Sequence, residues 1–187
     1  MSIVLQGSTS GSITLQEPAV AGSTVLDLPA TSGTLITTGS TGQVIPKAAL
    51  PTGSVLQVVN SVWTTDTSTT STSYVTTGHA LTITPTSSTS KVLVMLNGGG
   101  GYITGGSSLK LTIYRGATDI AQAYNLMSNI YSDANTHFVN HSLCVLDSPA
   151  TTSATTYTVY FKTNTGTINY AWSDKGVPSL TAMEIAA

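Results

Sequence analysis

His137 and His141 stand four residues apart, the spacing at which a helix turns two imidazoles to one face for a zinc ion. The segment His137–Leu146 reads instead as a strand, where four residues span ~13 Å, too far for one ion within one chain. A ring of one histidine from each of three chains would be the remaining way to hold a metal; two polar residues on a strand face is the plainer reading. A chain this rich in serine can be drawn as a Ser/His/Asp triad, but no Gly-x-Ser-x-Gly elbow sits in a strand-turn-helix setting. Asp66, Asp119, Asp133, Asp147, Asp174 and Glu184 all fall at expected turns, loops or the chain end, where a carboxylate caps or turns the backbone. Glycoside cleavage needs two acids held at a defined separation, and nothing in these positions supplies it. Gly98 to Gly101 invites a phosphate-loop reading, yet no Gly-Lys-Ser/Thr follows, so a permissive loop is expected there. Cys144, the single cysteine, reads as a small core residue. No enzyme activity, cofactor or metal is expected.

Aromatic residues offer the more plausible binding chemistry. Tyr102, Tyr124, Tyr131 and Trp172 lie in or near expected loops, where a ring face can pack on a sugar while Asn, Ser and Thr supply hydrogen bonds. Phe138, Tyr157 and Phe161 read as core.

The elements that must position these residues follow from composition. Ser and Thr make up about a third of the 187 residues, and charged residues only 7%. Thr, Val, Ile and Tyr suit half-buried pleated strands. The class is therefore all-β, and a hydrophobic share of 40% argues against general disorder. A net charge of −2, with six basic residues spread along the chain, leaves no nucleic-acid footprint. No apolar run reaches the roughly 18 residues of a membrane helix, Ile3-Val4-Leu5 is too short for a secretory signal, and one cysteine makes no intrachain disulfide. Synthesis in a cytosol is expected.

Gly11 to Thr38 writes one phrase twice and begins a third. Gly-Ser recurs at 11–12 and 22–23, Leu at 15 and 26, Pro-Ala at 18–19 and 29–30, and Gly33-Thr34-Leu35 breaks off. Each unit reads as a strand of about four residues ended by a proline and a glycine. Repeats this short are stable only when stacked on neighbours, so Leu15, Pro18, Leu26, Leu28, Pro29 and Leu35 are the expected contacts with sister chains and with a docking partner. Residues 1–43 form the expected repeat stalk, 44–53 a proline-bounded neck, and 54–187 an antiparallel β-sandwich, jelly-roll-like head.

Within the head, strands are expected at Ser54–Val62, at Ser73–Thr77 and Ala80–Thr84 (split by Gly78), at Lys91–Asn97 in the centre, and at Ser108–Arg115. His137–Leu146 and Ser179–Ile185 complete the set, with a hairpin of Thr156–Lys162 and Thr167–Trp172 joined through Asn164-Thr165-Gly166. Thr64–Ser73 reads as a polar loop. Gly116 to Asn135 reads as a long loop, with a short helix around Ile120 to Met127 as the alternative.

Three stretches carry a resemblance. The Gly-Ser-x-x-Leu-x-x-Pro-Ala phrase resembles segments of bacteriophage fibre and virion proteins. Leu81–Thr84 with Pro85, Lys91-Val92-Leu93-Val94 and Leu111-Thr112-Ile113-Tyr114-Arg115-Gly116 resemble the C-terminal domain of tail-fibre-like phage proteins. So do Leu146-Asp147-Ser148-Pro149-Ala150-Thr151-Thr152-Ser153-Ala154-Thr155-Thr156-Tyr157 and Leu180-Thr181-Ala182-Met183-Glu184-Ile185. The resemblance implies a non-enzymatic homotrimer made in the host cytoplasm and carried on the virion, with other virion proteins and a host-surface glycan as partners. Two roles are open: a short fibre whose knob attaches to the host, or a capsid decoration or head-fibre protein without receptor binding. The brevity of the repeat favours the second, the loop aromatics and the resemblance the first; the host-attaching fibre is the expected role and the decoration protein the alternative.

Overall fold

Inward-facing side chains at every second position of eight-residue strands generate a two-layered antiparallel β-sandwich. The computed structural model describes residues 3–6, 9–15, 50–121, 128–172 and 176–187. The chain divides into two units, Met1–Val44 and Ile45–Ala187.

In the first unit, β1 (Ile3–Gln6) pairs antiparallel with β2 (Ser12–Leu15), from Ile3 opposite Leu15 to Gln6 opposite Ser12. Gly11, with φ of +79°, delivers the chain into β2. The four-residue strand expected after the first repeat glycine is thus present, and its partner is the chain's own start. The remaining repeat residues, Pro18, Leu26, Leu28, Pro29 and Leu35 among them, lie outside the described residues.

The second unit holds two sheets. One contains β3 (Val55–Val62), β13 (Pro178–Ile185), β6 (Lys91–Ile103), β12 (Ile168–Ala171) and β4 (Thr67–Thr69) in that order, with β10 (His137–Asp147) along the other side of β6. The other contains β5 (Val75–Ile83), β11 (Thr155–Lys162), β7 (Ser108–Arg115) and β8 (Thr118–Asp119), with β9 (Ser128–Tyr131) also on β7. From β4 to β7 and again from β10 to β13 the chain changes sheets at nearly every connection, the crossing habit of jelly rolls. Val92, Val94 and Leu96 of β6, Leu143 and Val145 of β10, and Leu180 of β13 face Leu81, Ile83, Leu109, Leu111, Ile113, Tyr157, Val159 and Phe161 of the other sheet in one core. Complete burial of each such side chain contributes roughly 1.5–3 kcal/mol.

Several expectations need correction. Gly98 to Gly101 is not a loop: β6 runs straight through it. Gly98 and Gly99, at φ of +80° and +90°, make a bulge opposite the register shift between Val139 and His141. A Cβ on Gly99 would stand 2.9 Å from His141 Nε2, and one on Gly101 2.9 Å from Leu109 Cδ2. The glycines are there to admit neighbouring side chains, not phosphate. Gly99→Ala should cost about 1–2 kcal/mol, through a left-handed backbone and a displaced imidazole. Urea unfolding reads it directly, and an unmoved midpoint would refute the bulge.

Gly78 does not split two strands. At φ of +85° it bulges the single strand β5, and the Trp63 ring occupies the place a Cβ would take, 2.9 Å away. Gly116 to Asn135 is not simply a loop: it contains β8, and β9 pairs Ser128–Tyr131 with Leu111–Ser108. The polar stretch Thr64–Ser73 contains β4, which pairs with β12. The expected hairpin is not one, because β11 and β12 lie in different sheets and the segment around Asn164-Thr165-Gly166 crosses between them.

Candidate functional site

Along β6 the odd-numbered residues Lys91, Leu93, Met95 and Asn97 face outward, and antiparallel register extends each into a row across four strands. Val58, Met183, Leu93 and Leu146 form one row; Asn60, Thr181, Met95 and Cys144 the next; Val62, Ser179, Asn97 and Ser142 the third. Val58 and Leu146 are 55% and 52% exposed, large values for aliphatic side chains. Within the third row Ser142 donates to Asn97 Oδ1 at 2.9 Å, and Asn60 donates to Ser179 and Thr181 at 2.7 and 2.8 Å. Among the described residues of this face the one charged group is Lys91, whose Nζ donates to Ser148 at 2.9 Å.

The face ends in a cluster of rings. Tyr102 of β6 is flanked in register by Phe138 of β10 and Asn169 of β12, and Trp172 follows β12 directly. Ring centroids are 5.5 Å apart for Tyr102 and Phe138 and 5.0 Å for Tyr102 and Trp172, both tilted. Phe138 meets Trp172 edge-on at 6.2 Å. Such tilted and T-shaped pairs hold aromatic surfaces in fixed orientation. Two of the expected aromatics, Tyr102 and Trp172, are therefore brought together, although Tyr102 sits in a strand and not a loop. Tyr131 is apart from them, exposed on β9 of the other sheet. Tyr124 lies outside the described residues. Phe138, expected in the core, is half exposed and joins the cluster. Its place was readable from β10, where it alternates in step with Asn140, Ser142, Cys144 and Leu146, not with Leu143 and Val145. Cys144 is likewise exposed on the outer face and not a core residue.

Two histidines, His79 and His141, face the other way, into the core. His79 Nε2 lies 3.0 Å from the Ser61 carbonyl, so it carries the proton and donates. Nδ1 then accepts from the Tyr170 hydroxyl at 2.7 Å, which requires a neutral ring. Burial holds its pKa below the usual histidine value. Trp63 stacks on His79 at 5.7 Å, and His141 stacks on Tyr170 at 5.3 Å. Neither nitrogen of buried His141 has a hydrogen-bond partner among the described residues, and burial, followed by the nearby His79, lowers its pKa to about 4. His137, four residues earlier, is exposed and lies 3.5 Å from Asp133 Oδ1. The two histidines do not meet, and the described residues contain no group of three His, Cys, Asp or Glu placed for a metal.

Asp147 and Glu184 are not turn residues, and Asp119 combines a turn contact with a cross-strand one. Asp147 ends β10 nearly buried, accepts from Tyr157 Oη at 2.7 Å and pairs with Arg115 at 3.2 Å. Asp119 Oδ1 accepts from the hydroxyl of buried Thr112 at 2.6 Å and from the Ala121 amide at 3.2 Å. Glu184 is fully buried within β13, its oxygens taken up by Gln57 and Thr86. Sequence reasoning missed these roles because Tyr157, Arg115, Gln57 and Thr86 are brought to the acids from other strands or turns. Asp133 does shape its own turn, accepting from the Asn135 amide at 3.0 Å, and Asp174 lies outside the described residues.

No family model matches the chain, and no curated protein matches it. Among solved structures, the infectious bursal disease virus VP2 subviral particle is similar over 70% of this chain, with a TM-score of 0.36 and 13% sequence identity. The chain spans 37% of that protein's length.

Proposed function

We propose that this protein is a non-catalytic structural component of a virus particle, a decoration or head-fibre protein that docks on the capsid and displays its sandwich. The observation that carries this reading is the broad outer face of the six-stranded sheet, nearly uncharged, with exposed Val58, Val62 and Leu146 among neutral hydroxyl and amide side chains, which is a surface for protein contact. The engagement of buried Asp147 and Glu184 and of half-buried Asp119 in internal hydrogen bonds supports a structural role for them. The phage-type phrases of the sequence support the particle, and residues 1–43, with Leu15, Pro18, Leu26, Leu28, Pro29 and Leu35, are the proposed anchor to it. Mass-spectrometric counting of copies in purified virions tests the assignment. Copies in step with the capsid lattice are expected; the few copies of a tail appendage, or none, would overturn it.

The ring cluster favours a second reading, attachment to a host-surface glycan. Tyr102, Phe138 and Trp172 offer fixed aromatic faces beside the amide of Asn169, the combination that packs on a pyranose and hydrogen-bonds its hydroxyls. On this reading Trp172→Ala lowers glycan-array binding by roughly tenfold or more, while Tyr131→Ala leaves it unchanged. Equal signals from both variants and the parent protein would remove the attachment role.

A further inference from the structure

We propose that the outer face of the six-stranded sheet is covered by a second copy of this chain, packed sheet on sheet. The inference deepens the assembly reading above and rests on it, since it names what the apolar face is for.

The first argument is size. Four strands at ~4.8 Å make the face ~19 Å wide, and eight residues at ~3.4 Å make it ~27 Å long. From Gly98, β6 and β10 run on together about 17 Å further to the ring cluster. The projected area is about 700 Å², so two copies would bury about 1,400 Å² between them, inside the span of specific, stable interfaces. Sheets that pack face to face lie ~10 Å apart with strands within about 30° of each other, which lets Leu93, Met95, Leu146 and Met183 interdigitate with a like surface.

The second argument is charge. Partner choice between different proteins is commonly written in complementary charges, and among its described residues this face carries Lys91 alone, already bonded to Ser148. A surface of alternating apolar and hydroxyl or amide rows finds its match in the same rows, as a self-complementary contact requires. The third argument comes from the sequence: although β2 pairs with the chain's own β1, repeats this short bury no core of their own and are expected to lean on sister chains.

Cys144 makes the test direct, because the one thiol of the chain lies within the face, beside Met95 and opposite no charge. The full-length protein is measured by light scattering from about 1 to 100 μM, with thiol labelling at each concentration. The expected result is a mass that is a multiple of 19.2 kDa, and labelling at least about tenfold slower in the assembly than in the dissociated chain. Val58→Lys with Leu146→Lys should raise the dissociation constant roughly a hundredfold or more by burying two unpaired charges and release Cys144, with the β-sheet circular dichroism unchanged. Both positions are more than half exposed in a single chain, so the lysines are compatible with folding, and Cys144 protection in the parent protein needs no variant at all. Ala117→Lys, on the exposed turn between β7 and β8 of the other sheet, should change nothing. A monomer with a reactive thiol overturns the inference. A monomer with a protected thiol also overturns it, and shows that the chain's own residues cover the face. An assembly that survives both lysines overturns the choice of surface. A protein that is monomeric in solution yet present in virions refutes this inference and leaves the assembly reading standing.

Discussion

Lowering the pH from 7 to 4 should remove about 3 kcal/mol of the sandwich's stability through one side chain, His141. The ring is buried, stacked on Tyr170, and has no hydrogen-bond partner for either nitrogen among the described residues. Removing a charge's hydration without compensation is what moves its pKa from 6.5 to about 4. The unfolded chain takes up a proton as the pH falls through 6.5, and the folded chain does not until about 4. Stability is therefore complete above 6.5, falls between 6.5 and 4, and is level below that as far as this group is concerned. At ~1.4 kcal/mol per pH unit the whole interval corresponds to about 3 kcal/mol. Of the titratable groups packed nearby, His79 lies in the same core and is also held below its ordinary value, so it adds to the slope in the same direction. Urea unfolding at pH 7, 6, 5 and 4 measures the effect. His141→Leu, close in volume and without the unpartnered nitrogens, should hold or raise stability at pH 7 and flatten most of the slope, leaving the parts due to His79 and, below about pH 4.5, to Glu184. An unaltered slope in that variant would refute the assignment.

That coupling shows where sequence reasoning reaches and where it stops. Lys91–Asn97 is legible as a central strand because its run of Val, Leu and Met can be buried only in the middle of a sheet. Ser108–Arg115 is legible because Leu109, Leu111 and Ile113 alternate. The hydrogen bond between His79 and Tyr170 joins residues 91 apart, and no local pattern marks either as a partner of the other. Glycine misleads for a related reason. A Gly-rich run signals a loop when its freedom of φ is what matters, but Gly101 is placed where Leu109 and Val139 need the space of a Cβ. The segment after β11 has the turn chemistry of a hairpin, and only the assignment of strands to sheets, a non-local property, makes it a crossing. The ring cluster was half legible: Tyr102 and Trp172 follow from being aromatic and near glycine and turn residues. Phe138 needed the parity of β10, set by Leu143 and Val145, to be carried back past the bulge.

Replacing Glu184 with Gln should destabilise the protein by about 2–3 kcal/mol at neutral pH. Glu184 lies in β13 between Gln57 of β3 and Val92 of β6. One oxygen accepts both the amide and the hydroxyl of Thr86, each at 2.7 Å, and the other accepts Gln57 Nε2 at 2.6 Å. The carboxylate thereby ties the turn after β5 to the sheet that carries the outer face. Burial by itself would raise its pKa, but the donors converging on the charged form outweigh that and bring it to about 2. A glutamine keeps the shape and turns an NH2 group toward at least one of these donors, so one hydrogen bond is lost and a donor is left without an acceptor. Gln57 cannot repair this by an amide flip alone, because Nε2 also donates to the Thr84 carbonyl at 2.7 Å. The pH dependence has the same sign as that of His141, because both folded pKa values lie below the unfolded ones, but its origin is the opposite: hydrogen bonds to a charged form here, exclusion of a charged form there. A carboxylate with a depressed pKa contributes fully above its unfolded value of 4.5, and the contribution is lost as the pH falls from there toward 2. The parent protein and Glu184→Gln should therefore differ most above about pH 5 and converge as the pH approaches 2, with the His141→Leu background used to remove the overlapping histidine slope. Denaturant midpoints across that range decide it: a gap of constant size would mean that hydrogen bonding to the charged carboxylate is not what holds the turn in place.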